Sequence, residues 1–171
     1  MDWVRKGKVW KFGDHLVPDV AIGWRGEMDA WKQEDLAKIF MINVDPEIPK
    51  KVKKGDLIIA GRNFGYGRAH GAFWESLSAV GIAGIIAKSF ATPFFKSCIG
   101  RGIPVLECKT ITERVSQEDE LEVDFRTGEI KNLTTGEHFK TEPLPDFQIE
   151  VIEAGGFTAY IKHKLNNKGH P

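Results

Sequence analysis

One short segment concentrates the groups that could do chemistry: Gly61–Gly71, GRNFGYGRAHG. Arg62 and Arg68 are permanent cations whose forked donors suit a carboxylate or phosphate. His70 carries an imidazole, a group that ordinarily titrates near pH 6.5 and suits proton transfer near neutrality. Tyr66 offers a phenol, which ordinarily titrates near 10 and needs substantial lowering to act as a base. Asn63 adds an amide, and the glycines, Gly65 and Gly67 among them, permit positive φ and let backbone N–H groups approach a ligand. Two nucleotide-binding motifs do not fit. In the dinucleotide fingerprint the third glycine follows one residue sooner than Gly71 does, and the P-loop's Lys-Ser/Thr pair is absent. No Gly-x-Ser-x-Gly elbow occurs, and Ser89 and Ser97 read as cap and helix-surface residues, which argues against a self-contained nucleophilic enzyme.

The neighbouring elements explain why this segment matters. Asp56–Ala60 is a short apolar strand that feeds directly into it. Ala72–Val80 follows as a helix, with Phe73, Leu77 and Val80 on one face. Ile82–Ala87 is an apolar run suited to a buried parallel strand. Ser89–Thr92 offers N-cap residues before Pro93 at the first helical position, and Gly100 and Gly102 end that helix. Ile103–Leu106 makes a third strand. The order is βαβαβ with right-handed crossovers, and the glycine-rich segment leaves the carboxyl end of a parallel strand, where open α/β sheets bind ligands. The helix that follows favours an anion at its N-terminus.

The flanking regions are plainer. Lys8–Phe12 reads as a strand, Val20–Ile22 as a second short strand, and Asp35–Met41 as a brief helix. Glu120–Phe125 alternates like a half-exposed antiparallel strand, Arg126–Glu129 is a turn, Ile130–Leu133 a strand and Thr135-Gly136 another turn. The charges of Glu113–Glu122 read as a solvated face. Phe147–Ile152 and Phe157–Ile161 read as a helix interrupted by Gly155-Gly156. Residues 1–163 are expected to form a single domain and 164–171 a polar tail.

Bulk composition bounds the function. The 171 residues suffice for one domain with a sizeable core, and 42% are apolar. Cations and anions balance at 24 each, so nothing draws the whole chain to nucleic acid or an anionic membrane. No apolar run spans a bilayer, and the N-terminus has no signal-peptide core, so we expect a cytoplasmic protein. Cys98 and Cys108, the two cysteines, fit no common zinc or iron–sulfur spacing and read as reduced thiols, so no cofactor is expected in this chain.

Taken together, several stretches resemble the small, swivelling subunit of the aconitase superfamily, closest to the small subunits of 3-isopropylmalate dehydratase and homoaconitase. They are Val9-Trp-Lys-Phe-Gly-Asp14, Val52-Lys-Lys-Gly-Asp56, Ala60-Gly-Arg-Asn-Phe-Gly65, Ile85-Ile-Ala-Lys-Ser-Phe-Ala91, Gly102-Ile-Pro104 and Ala154-Gly-Gly156, and the likeness runs from about Lys6 to Lys162. The resemblance implies an α/β fold of three-layer β/β/α type with the βαβαβ unit at its centre. It also implies a large partner subunit carrying a [4Fe–4S] cluster, whose iron would be the Lewis acid. The implied activity is reversible loss or addition of water on a hydroxy di- or tricarboxylate.

The active-site motifs depart from the family. After Asn-Phe-Gly it usually continues Cys-Gly-Ser-Ser-Arg-Glu-His, the first serine being the base and the arginine a carboxylate binder. Here Arg68 stands at that serine, Ala69 at the second, and His70 at the arginine. Near the N-terminus the family's Gly-Asp-x-x-Asp-Thr-Asp reads Gly13-Asp-His-Leu-Val-Pro-Asp19, so Asp19 matches the last aspartate, a position that orients active-site groups in the family. We therefore expect His70 as the base, Tyr66 as a second candidate and Asp19 in support. Arg62, Arg68, Asn63, Gly65, Gly67 and Arg25 are expected to bind substrate, and the altered motif suggests a smaller or differently substituted diacid, of dimethylmaleate or methylmalate type. The alternative is a non-catalytic module of the same fold that binds an anion or docks a partner.

Overall fold

The computed structural model describes residues 2–23 and 33–167. The chain opens with β1 (Val4–Phe12), which serves two different strand systems. Its first half, Val4–Lys8, runs antiparallel to β5 (Glu120–Asp124), and its second half, Val9–Phe12, runs parallel to β2 (Leu57–Ala60). The handover occurs beside Gly7, where an added Cβ would lie 2.1 Å from the Gly55 carbonyl oxygen. Only a residue without a side chain lets the two backbones pass so closely.

From β2 the chain follows the expected alternation: α4 (Gly71–Val80), β3 (Gly84–Ala87), α5 (Thr92–Gly100) and β4 (Val105–Glu107). The strands β1 to β4 are mutually parallel. Beyond β5, strands β6 (Glu129–Asn132) and β7 (His138–Lys140) extend an antiparallel meander. The result is a seven-stranded mixed sheet in the order β4-β3-β2-β1-β5-β6-β7. Every residue of β2 and β3 is buried, the signature of parallel strands covered on both faces.

The smaller helices are α1 (Pro18–Ala21), α2 (Gln33–Ile39), α3 (Ile48–Lys51) and α6 (Ile111–Arg114), with α7 (Asp146–Glu153) and α8 (Phe157–Asn167) at the end. Several expectations change here. Val20–Ile22 is not a strand: Pro18, preset for the first helical turn, opens α1 instead. The start of α5 has no side-chain cap, because its N-cap residue is Ala91; the Ser89 hydroxyl instead accepts the Asn63 N–H at 2.9 Å. Strand β4 begins after Pro104, which has no N–H for a ladder. The last helix continues to Asn167, past the point where the sequence reads as a polar tail. The short β7 carried no strand signal of its own and forms by pairing with β6.

The core beneath the glycine-rich loop is aromatic. Phe94 of α5 stacks on Trp74 at 4.8 Å between ring centroids and meets Phe64 edge-on at 5.3 Å and Phe73 at 5.8 Å. Such pairs add specificity to plain burial. Cys98 and Cys108 are free and buried, and burial pushes the Cys98 thiol well above the usual range.

A buried polar contact secures the other end of the sheet. Trp10 Nε1 and the Lys53 backbone N–H both donate to Asp56 Oδ2 at 2.8 Å, and Asp56 is 6% exposed. Replacing Trp10 with phenylalanine keeps an aromatic ring, though a smaller one, and strips a donor from a buried carboxylate. The expected loss is about 1–3 kcal/mol, read as a lower urea midpoint at unchanged m-value.

Candidate active site

The loop after β2 does not stand alone. It lies along the segment that leaves β1, and the two are clasped from end to end. At one end, the Arg62 backbone N–H donates to Asp14 Oδ1 at 2.6 Å, the Arg62 Nε to Asp14 Oδ2 at 3.3 Å, and the His15 N–H to the Arg62 carbonyl at 2.7 Å. In the middle, the Gly65 N–H donates to the Leu16 carbonyl at 3.1 Å. At the other end, the Asp19 N–H donates to the Arg68 carbonyl at 3.3 Å.

That far end carries the candidate chemistry. Asp19 accepts two hydrogen bonds from His70, one from the backbone N–H to Oδ1 at 2.8 Å and one from the ring Nδ1 to Oδ2 at 2.5 Å. A carboxylate can only accept, so Nδ1 bears a proton and the neutral ring carries its lone pair on Nε2. The Asp19 side chain is 12% exposed and that of His70 40%. The carboxylate is thus shielded while the imidazole presents part of its ring to solvent. Asp19 owes its place to α1, which Pro18 initiates. His70 owes its place to the start of α4, where it is the N-cap residue with extended backbone.

Gly65 seats the loop on the aromatic core. Its φ is +81°, and an added Cβ would lie 2.0 Å from Phe94 Cγ. Gly67 also has positive φ, +82°. Behind the loop, the Phe64 N–H donates to the Ser89 carbonyl and the Ala91 N–H to the Phe64 carbonyl, which ties it to the carboxyl end of β3.

The residues singled out from the sequence therefore divide into two groups. His70 and Asp19 meet directly, with the Arg68 backbone beside them. Arg62, Asn63 and Tyr66 gather at the opposite end around His15. Asn63 Nδ2 lies 3.2 Å from His15 Nδ1, and the Tyr66 and His15 rings meet edge-on at 6.4 Å. Arg25 lies outside the described residues. Sequence reasoning passed over Asp14, His15 and Ser89 as parts of the site. The Gly13-Asp14 pair within the N-terminal motif was the available signal for the first; nothing marked Ser89, whose hydroxyl looked like a cap.

The Arg62 N–H beside Asp14, outweighing modest desolvation, holds that carboxyl below its usual 3.8. A carboxyl whose folded pKa is depressed stabilises the fold above the unfolded pKa and loses that contribution as pH falls through the folded value. Asp14→Asn should therefore lower the melting temperature relative to wild type at pH 6–7, and the gap should close below about pH 3.8. Thermal scans of both proteins across pH 2.5–7 check this.

Fold and site together define a class: an α/β subunit that presents a carboxylate-held imidazole and two arginines on the carboxyl edge of a parallel sheet. Residues 20–110 match the family described as Aconitase C-terminal domain. The chain is 47% identical over 160 residues to the isopropylmalate/citramalate isomerase small subunit of Methanocaldococcus jannaschii, covering 94% of this chain and 95% of that one. It is 41% identical to the 3-isopropylmalate dehydratase small subunit of Thermodesulfovibrio yellowstonii, with 94% and 95% covered. A crystal structure of 3-isopropylmalate dehydratase from Methanocaldococcus jannaschii superimposes with a TM-score of 0.86 at 31% identity, covering 96% of this chain and 97% of that one. The chain belongs to the aconitase C-terminal domain family, among its 3-isopropylmalate dehydratase small subunits. No helix among the described residues is long and apolar enough to cross a membrane.

Proposed function

We propose that this chain, as the small subunit of a heteromeric hydro-lyase, supplies the proton-transferring base and the carboxylate-binding donors for reversible dehydration of a substituted malate. The observation that carries the reading is the double hold of Asp19 on His70. It sets the ring in the tautomer whose Nε2 accepts a proton and stabilises the imidazolium that results, the arrangement a general base needs. In the dehydration direction His70 takes the proton from the carbon next to a substrate carboxylate. In hydration it returns the proton to carbon. Arg68, exposed on the same stretch of loop, would hold one substrate carboxylate, and Arg62 a second.

The leaving hydroxyl needs a Lewis acid. Among the described residues no group of three His, Cys, Asp or Glu side chains is placed to hold a metal ion. A [4Fe–4S] cluster on a large partner subunit would supply an iron that polarises the hydroxyl and a carboxylate.

The substrate is a diacid with a modest substituent. The name of the Methanocaldococcus jannaschii relative pairs isopropylmalate with citramalate, a methylmalate, and the loop here lacks the family's Ser-Ser-Arg. Reconstituted with its large subunit and cluster, the complex should turn over citramalate or isopropylmalate and leave citrate untouched. Turnover of citrate alone would place the chain with a different substrate class.

A further inference from the structure

The second histidine of the clasp, His15, has no part in the reading above, and its chemistry is the reverse of that of His70. Resting on the proposed dehydration of a substituted malate, we propose that His15 is a specificity-determining residue that donates a hydrogen bond to the substrate carboxylate remote from His70. Three observations carry this. First, Asn63 Nδ2 donates to His15 Nδ1 at 3.2 Å, so the neutral His15 ring bears its proton on Nε2 and offers a donor. His70, held by Asp19 through Nδ1, offers an acceptor. One clasp thus presents an acceptor imidazole at one end and a donor imidazole at the other, the pair required to take a proton from carbon while anchoring an anion.

Second, the backbone at His15 is held in an uncommon conformation by its partners. His15 and Asn63 adopt left-handed conformations, φ +56° and +54°. Among the described residues only four non-glycines do so, and two of them meet here, each contributed by one segment of the clasp. The conformation is uncommon outside glycine, though histidine and asparagine adopt it more readily than most residues, and here contacts between the two segments hold it at both partners of one hydrogen bond. Here the imposing contacts are the His15 N–H on the Arg62 carbonyl and the Arg62 N–H on Asp14.

Third, the surroundings suit a carboxylate. The Arg62 guanidinium is oriented by Asp14 through Nε at 3.3 Å, and the exposed Tyr66 ring stands edge-on to His15 at 6.4 Å. His15 and Asp19 are four residues apart, which limits the separation of their Cα atoms to about 14 Å. Side chains from the two ends can therefore bracket a single diacid with a four-carbon backbone.

The test uses the reconstituted complex with its large subunit. Wild type, His15→Ala, His15→Asn and His70→Ala are compared for kcat and KM on citramalate and isopropylmalate, and for equilibrium binding of succinate, an inert diacid. Asparagine tolerates left-handed φ, so His15→Asn keeps the fold while removing the ring. Both His15 variants should raise KM and the succinate Kd at least tenfold with kcat within about threefold, and should change the preference between the two malates; a charge-assisted hydrogen bond of ordinary strength accounts for that size. His70→Ala should depress kcat and leave succinate binding within about threefold. Unchanged succinate binding in both His15 variants, or a fall in kcat without a rise in KM, overturns the inference. A wild-type complex that binds succinate through His15 yet dehydrates neither malate sinks the proposed reaction and leaves the inference standing. A complex that neither binds nor reacts sinks both.

Discussion

Replacing His70 with alanine should lower kcat of the reconstituted complex by about a hundred- to ten-thousand-fold, the usual contribution of a positioned general base. The fold should survive, because the ring is 40% exposed and the His70 backbone N–H still donates to Asp19. His70 caps α4 through its backbone and makes no side-chain cap bond, so the helix start is retained. Asp19→Asn should cost nearly as much by a different route. An asparagine that keeps its oxygen on the His70 backbone N–H turns its own N–H toward Nδ1. That drives the ring proton to Nε2, where it blocks proton acceptance. Steady-state kinetics on both variants separate the possibilities. Activity unchanged in His70→Ala removes the imidazole from the chemistry and favours a module that only binds an anion.

Gly65→Ala should have the largest effect on folding. The position needs φ +81°, which costs an L-residue about 1–2 kcal/mol. The added methyl would also lie 2.0 Å from Phe94 Cγ. Phe94 cannot step aside cheaply, since it is 3% exposed and packs on Phe64, Phe73, Trp74 and Phe90. Overpacking of that kind adds about 1–3 kcal/mol. The sum, about 2–5 kcal/mol, is a large share of the stability of an ordinary domain. For a chain of this length it lowers the melting temperature by about 4–20 °C. Calorimetry reads it directly. A Gly65→Ala protein as stable as wild type would mean the loop is not seated on the aromatic core.

The parts of this structure that could be read in advance are those written in local pattern. Ile82–Ala87 reads as a buried strand from its apolar run alone, and β3 forms its buried part, Gly84–Ala87. Gly61–Gly71 between an apolar strand and a helix placed a glycine-rich loop at the carboxyl edge of the sheet. The clasp was not legible, because it joins residues 48 to 51 positions apart in the chain. No periodicity reports that Asp19 will meet His70; only the resemblance of Asp19 to a family position hinted at a role. Val20–Ile22 was misread because β-branched residues after Pro18 look like a strand in isolation. The competing signal, a proline preset for a helical first turn, prevailed once Asp19 had a partner to hold. Ser89 was misjudged for the opposite reason. Its local context is that of a helix cap, but a loop from elsewhere in the chain claims its hydroxyl.

The same contrast explains why the candidate site was harder to read than the fold. Family motifs survive in the strands and in Asn63-Phe-Gly65, which pack against the core and against Ser89–Ala91. The next residues, Tyr66 to His70, face solvent or are half-buried. They are free to change chemistry without disturbing the sheet beneath them, and here the change replaces a serine-arginine pattern with an imidazole held by a carboxylate.

The most direct test of the central claim is reconstitution. The large subunit, loaded with its cluster, is assayed for hydration of methylmaleate and isopropylmaleate alone and after addition of this chain. The account predicts no turnover from the large subunit alone, turnover when the two chains are combined, and loss of that turnover with the His70→Ala chain. Equal activity with and without this chain, or silence from a cluster-replete complex on both diacids, would contradict it.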